Sequence, residues 1–223
     1  MARQRHTKII IVLDRSGSMQ TIHEATVKAV NGFMDNLNKV PGEGDWTIVQ
    51  FDDHDHAAGA GEAFPQVIHD CVNYKHLPRL ERQDFKPRGG TALIDALYMI
   101  VSRAKESYLS LLEPDRPRVL VVIMTDGEEN SSKLHTDDQL RQLTGEVQGK
   151  YGWEFIYLGA NQDAFAVATN YGLQGKNFEY TSNAIGAAAV LVSGAACARG
   201  WKAEGNQSAQ QLMSSSQPDE GDQ

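Results

Sequence analysis

Apolar residues fall along this chain in short unbroken runs that alternate with longer stretches of helical spacing. The runs "KIIIVL" (8–13), "WTIVQF" (46–51), "RVLVVIMT" (118–125) and "WEFIYLG" (153–159) have the length and composition of buried strands. Over 20–39, Ile22, Ala25, Thr26, Ala29, Val30, Phe33, Met34 and Leu37 recur on one helical face, and "VPGEGD" stops the pattern with Pro41 and two glycines. Leu93, Ile94, Leu97, Ile100, Val101, Ala104 and Leu111 predict a second core-facing helix within 91–112. Further helices are predicted near 137–150, 161–171 and 183–200, with a last strand "NFEYT" at 177–181. In the 161–171 helix Asn161 and Asp163 are candidate caps and Gly172 a candidate stop, while Tyr157, Phe165 and Tyr171 are expected to pack in or near the core. Residues 52–72 break the rhythm, with a polar turn and two short runs that suit a hairpin or an edge strand better than a crossover helix.

Continuous apolar strands separated by helices imply a parallel sheet covered on both faces. The expected fold is therefore α/β, doubly wound and Rossmann-like, with a mainly parallel sheet, one antiparallel edge strand and helices on both sides. A chain of 223 residues, 41% of them hydrophobic, can bury a large single core. A domain over 1–201 is expected, followed by a disordered polar and acidic tail at 202–223, where Gln, Ser, Gly and acids leave little to bury.

Charge and cysteine usage narrow the function classes. A formal net charge of −8 disfavours the positive surface that phosphate backbones require, so nucleic acid is not an expected partner. The stretch Thr181–Ala198 is charge-free but rich in Ala, Ser, Asn and Gly, and reads as a buried helix rather than a membrane span. Only five apolar residues separate Lys8 from Asp14, too few for a secretory leader. Cys71 and Cys197, the only cysteines, have dissimilar contexts and read as free thiols, which together with the missing leader points to the cytoplasm.

Candidate chemistry follows the strands. In an open α/β sheet, ligands bind beyond the carboxyl ends of the strands. After the first strand comes Asp14-Arg15-Ser16-Gly17-Ser18, and after "RVLVVIMT" comes Asp126-Gly127-Glu128-Glu129; ahead of the second long helix lies "PRGGTALIDAL", with Thr91 behind two glycines. Three loops thus offer carboxylates and hydroxyls with no histidine or cysteine among them. Oxygen-only ligands suit a hard cation, Mg²⁺ or Mn²⁺, and three hydroxyls with two carboxylates would leave the ion able to attract an outside acid. Taken singly, each hydroxyl also suits a helix cap and Asp126-Gly127 suits a turn.

These loops make the sequence recognisable. "DRSGSM" (14–19), "GGT" (89–91) and "TDG" (125–127), in this order, closely resemble the metal-ion-dependent adhesion site of von Willebrand factor type A domains, over roughly residues 7–200. The resemblance implies metal ligation by Asp14, Ser16, Ser18, Thr91 and Asp126. It also implies a non-enzymatic binding module whose protein partner completes the coordination with a Glu or Asp. The compact length and the "TDGEENSS" wording are most similar to small stand-alone type A domains of bacteria and phages. Arg15 fills a variable position of the motif, and Glu128 and Glu129 add negative charge beside the third loop.

Other candidates are weighed against this reading. A Mg²⁺-dependent hydrolase or phosphotransferase with Asp14 as nucleophile would need a second acid near Asp14 and a basic clamp, yet Ser16 stands two residues on; Arg15 and Arg88 are the nearest cations. Neither a G-x-G-x-x-G after the first strand nor a Walker-type loop occurs, which sets nucleotide binding aside. "DDHDH" (52–56) concentrates possible ligands but reads as a solvated turn, His6, His23, His69, His76 and His135 share no spacing, and Glu128 and Glu129 read as a solvated loop. Arg88 suits either selection of an acidic ligand or a structural loop role. Asp219, Glu220 or Asp222 of the tail would be placed to imitate an acidic ligand.

Overall fold

The computed structural model describes residues 6–160, 164–181, 183, 186, 187, 189 and 193–204. The apolar runs become six strands: β1 (Thr7–Asp14), β2 (Gly44–Phe51), β3 (Gln66–Asn73), β4 (Arg118–Thr125), β5 (Glu154–Ala160) and β6 (Gly175–Tyr180). They form one sheet in the order β3-β2-β1-β4-β5-β6, in which β3 runs antiparallel at one edge and every other pairing is parallel. The expected doubly wound fold with one antiparallel edge is therefore present.

Period-two alternation divides the sheet between two cores. Ile9, Ile11 and Leu13 of β1 face Val30, Phe33 and Leu37 of α1 (His23–Asn38), together with Ala195, Ala198 and Trp201 from helical residues 193–204. Ile10 and Val12 face the other way, against Leu97 and Val101 of a long helix (Leu93–Leu109) and Leu140 and Val147 of a later one (Asp137–Tyr151). Each such side chain, fully removed from water, contributes roughly 1.5–3 kcal/mol. The switch in chain direction lies between β1 and β4, so the loops after these two strands open onto one crevice.

Local chemistry sets the boundaries. A tight 3-10 turn at Gly17–Ile22 precedes α1, so the helix predicted from residue 20 begins at His23. Thr136 and Gln139 form a capping box at the start of the Asp137–Tyr151 helix, and Gly152, at φ 66°, ends it in the left-handed region that a side chain would resist. The segment predicted as a hairpin contains a short helix, His54–Gly59, before edge strand β3. Asp53 starts that helix by accepting the His56 N–H at 2.8 Å, and six residues are too few to display a helical period. We label the helices after α1 in chain order: α2 (His54–Gly59), α3 (Leu93–Leu109), α4 (Asp137–Tyr151) and α5 (Ala164–Asn170).

Tyr157 and Tyr171 are buried, as are Ala187, Ala195 and Ala198 from the predicted last helix. Asn161, Asp163 and the acidic residues Asp219, Glu220 and Asp222 lie outside the described residues, and nothing is described of the Phe165 side chain. No helix among the described residues is long and apolar enough to cross a membrane.

Helical residues continue through Glu204, and Lys202 is buried with its ammonium donating to Leu37 O at 3.2 Å and lying 4.1 Å from the Tyr74 ring centre. Burial lowers this amine to about 8. The unfolded chain keeps it near the ordinary value of about 10.4, so between these pH values the unfolded state binds the extra proton and stability rises with pH. Thermal melts should therefore show stability climbing from pH 8 to 10, by roughly 3 kcal/mol at most. Lys202→Met should flatten that climb; an identical climb in the variant would show that another group causes it.

Candidate metal centre

The site begins where the most apolar strand ends. Asp14, the last residue of β1, has no exposed surface. One carboxylate oxygen accepts the Ser16 N–H at 2.7 Å and the other accepts the Thr125 hydroxyl at 2.6 Å, which ties the loop after β1 to the end of β4. Burial pushes the Asp14 carboxyl up to about 7, against the pull of the Thr125 and Ser16 hydrogen bonds. Ser18 Oγ donates to Asp126 Oδ1 at 2.6 Å, and Ser16 Oγ lies 3.1 Å from Ser18 Oγ. Thr125 Oγ1 also accepts from the Gly127 N–H at 3.3 Å and lies 3.1 Å from Gly127 O, which shapes the turn that carries Asp126.

Thr91 arrives from a third loop held by backbone bonds. Gly17 N–H donates to Gly89 O at 3.0 Å, and Arg88 N–H donates to Arg15 O at 2.7 Å. Gly89 has φ 66°, and a side chain there would collide with Asp53 and His56; one at Gly90 would collide with Ser131. These clashes explain why two glycines precede Thr91. Asp53 accepts the Gly90 N–H at 2.6 Å; burial acts to raise its carboxyl, but the Gly90 and His56 donors outweigh it and hold it at about 2.

The structure brings all five sequence-predicted residues together. A Cβ built on Gly127 would sit 3.2 Å from Thr91 Oγ1, 3.7 Å from Ser18 Oγ and 3.9 Å from Ser16 Oγ, so the three hydroxyls surround one small space. Asp14 and Asp126 border the same loops. Ser16, at the start of the 3-10 turn, makes no side-chain cap, Thr91 lies one residue ahead of the cap position of α3, Ala92, and no hydrogen bond among the described residues occupies Thr91 Oγ1. The donor set is all oxygen, two carboxylates and three hydroxyls, and fits a hard divalent cation.

Residues that sequence reasoning set aside turn out to support the cup. Arg15 is buried, and its guanidinium reaches Glu62 at 2.6 Å, Asp52 at 3.3 Å and Gln66 at 2.9 Å. Arg88 meets the same two acids, Asp52 at 2.5 Å and Glu62 at 2.8 Å, so a four-membered ionic cluster braces the first loop against the second. Asp52 and Asp53 are thus buried anchors rather than a solvated turn. Only the identity of the facing loops reveals this, since adjacent residues in "DDHDH" have unrelated partners.

The loop after Asp126 is equally committed. Glu129 accepts from the N–H groups of Ile94, Ser131 and Ser132 and from the Ser132 hydroxyl, while Asn130 Oδ1 accepts from Thr91 N–H. Asp95, fully buried in α3, accepts from the N–H groups of Lys133, Leu134 and His135 and from the rings of His54 (Nε2, 2.8 Å) and His135 (Nδ1, 3.0 Å). Burial acts to raise this carboxyl, yet the surrounding donors hold it below its ordinary value. An ionised Asp95 only accepts, so both imidazoles donate to it. His54 and His135 share no sequence spacing because they meet only through Asp95.

Solved structures place this arrangement among known folds. The chain superposes on a von Willebrand factor type A protein from Catenulispora acidiphila with a TM-score of 0.64 at 17% identity, covering 88% of this chain and 43% of that one. It matches the SpRpn10 VWA domain with a TM-score of 0.58 at 14% identity, over 83% of this chain and 93% of the other. Manganese-loaded Plasmodium vivax TRAP protein gives 0.51 at 13% identity, over 85% and 73%. The chain spans less than half the length of the Catenulispora protein and of mussel byssus proximal thread matrix protein 1. No curated protein sequence matches it. A family model, "von Willebrand factor type A domain", matches residues 8–173, well over half of the sequence, and the chain belongs to that family.

Proposed function

We propose that this protein is a divalent-metal-dependent protein-binding module, not an enzyme, in which Asp14, Ser16, Ser18, Thr91 and Asp126 hold Mg²⁺ or Mn²⁺. The observation that carries this reading is the convergence of three hydroxyls that cap no helix around the space at Gly127. A bound ion would supply an electrophilic acceptor for a carboxylate from a partner protein. The protein's own part is to fix the five oxygen donors and to keep the Arg15 and Arg88 side chains engaged elsewhere. Arg15 and Arg88 are engaged by Asp52 and Glu62, which leaves neither as a ready clamp for a phosphoryl group and counts against a phosphotransferase. Manganese in a protein of the same fold, Plasmodium vivax TRAP, supports the choice of ion. A cytoplasmic location is part of the proposal and rests on the sequence alone.

Calorimetric titration of Mn²⁺ into metal-stripped full-length protein should show saturable binding that Asp14→Ala abolishes while circular dichroism stays native. Gly127→Ala inserts a methyl among the hydroxyls and should weaken binding roughly tenfold or more with the fold intact. Folded wild type that takes up no metal would overturn the reading, as would phosphoester turnover that disappears in Asp14→Asn.

Asp95→Asn replaces an acceptor surrounded by N–H donors with an amide that brings donors of its own. It should cost about 2–4 kcal/mol in denaturant unfolding. Because Asp95 gathers the loop that follows Asp126, Mn²⁺ affinity should fall with it; unchanged stability would remove Asp95 as the organiser of that loop.

A further inference from the structure

At the opposite end of the sheet from the metal centre, a lysine and a cysteine from separate strands are in contact. Lys8 is the second residue of β1, and its ammonium donates to Cys71 Sγ in β3 at 2.8 Å. Strand β2 lies between them, so the lysine spans a whole strand to reach the sulfur. A bulge makes the contact possible: Trp46 pairs with Val72 and Ile48 with His69, leaving Asp70 and Cys71 together opposite Thr47. Cys71 has φ 51° there, and its N–H donates to Thr47 Oγ1 at 3.2 Å. Asp45 Oδ1 lies 3.7 Å from the Lys8 nitrogen and helps hold the amine in place.

Space for a small reactant adjoins the pair. Lys8, Thr47, Cys71, Arg103 and Ser107 line a cavity of about 90 Å³ between the sheet and α3. Water occupies about 30 Å³ in the liquid, so a two-oxygen molecule fits beside the sulfur. Cys71 is an exposed residue, while among the described residues no hydrogen bond or ion pair engages the half-buried Cys197 sulfur.

We propose that Lys8 and Cys71 form a redox-driven covalent cross-link, a sulfenamide made when hydrogen peroxide or a similar small hydroperoxide enters this cavity. In the first step the Cys71 thiolate attacks one peroxide oxygen and the O–O bond breaks. The departing hydroxide takes a proton from the Lys8 ammonium and leaves as water. Sulfur has lost two electrons to become a sulfenic acid, and Lys8 is now a neutral amine in contact with it. In the second step that amine attacks the sulfenic sulfur, the S–O bond breaks, and the hydroxyl leaves as water with the proton released from nitrogen. Thiolate, ammonium and one peroxide thus give an S–N bond and two waters. The same proton transfer that completes the oxidation creates the nucleophile for the closure. The product would fasten edge strand β3 to the central strand β1, and thiols would reverse it by attack on sulfur.

The site is separate from the metal centre, because six residues of extended strand place Lys8 about 20 Å from Asp14. The cross-link therefore stands or falls independently of metal binding.

Treatment of full-length protein with a small excess of hydrogen peroxide, followed by tryptic mass spectrometry, tests it. A peptide containing Cys71 should appear joined to one containing Lys8, lighter by two hydrogens than the sum of the reduced pair and uncut after Lys8. Dithiothreitol should restore both peptides. Lys8→Met should retain its circular dichroism spectrum and accumulate Cys71 sulfenic acid that dimedone traps, with no joined peptide. In wild type, dimedone-labelled or further oxidised Cys71 without the joined peptide would overturn the proposal, and so would oxidation of Cys197 ahead of an unreacted Cys71.

Discussion

A carboxylate with no exposed surface at the end of the central strand is the constraint around which the rest of this structure is arranged. Asp14 follows five consecutive apolar residues, and burying an ionisable group there is costly unless its oxygens are satisfied. Its donors come from different places, among them the backbone of the loop it begins and the hydroxyl of Thr125 on the neighbouring strand. Satisfying one side chain therefore fixes two loops relative to each other. Ser18 then reaches Asp126, and the hydroxyls take positions that neither loop would enforce alone.

The polar residues around this centre divide into those that face the cup and those that free others to face it. A threonine near the start of a helix ordinarily spends its hydroxyl on the helix's unpaired N–H groups. Here Asn130, Glu129 and Ser132 reach in from another loop and accept from Thr91, Ile94 and Asp95 N–H. Asp53 does the same for Gly90. Helix α3 is capped from outside, and Thr91 Oγ1 is left for chemistry. The acids at 53 and 129 thus help leave the Thr91 hydroxyl available without joining it.

Legibility in the sequence follows this division. The parallel strands could be read because a buried strand leaves a continuous apolar run, and the five candidate ligands could be read because each lies in a short motif beside a strand or helix end. The supporting residues could not, since their roles depend on partners far away in sequence. His54 and His135 are linked only through Asp95, and Arg15 meets Asp52, Glu62 and Gln66 only after β2 and β3 are in place. Lys202 illustrates the same limit, for the polar composition after Trp201 suggested a tail whereas its position among the helical residues 193–204 carries it under Tyr74 and the end of α1. The bulge at Cys71 leaves no trace in residue type, because cysteine is not a residue that favours a left-handed backbone.

The arrangement of charge around the cup bears on how a metal-dependent grip would be controlled. The two arginines nearest the hydroxyl loops are both occupied by Asp52 and Glu62, and Lys133 on the neighbouring loop is paired with Asp55. Basic side chains would therefore do little to attract an acidic partner to this face, while Asp126 and the exposed Glu128 would oppose its approach. A divalent ion reverses the local sign of the potential at the one point where the hydroxyls open. If an arginine were free beside the cup, an acidic ligand could be held without any ion, and the metal would only add to an existing attraction. With the guanidinium groups internally neutralised, attraction to a carboxylate in the proposed function would depend on the ion itself, so the ionic cluster that braces the loops would also make recognition conditional on metal.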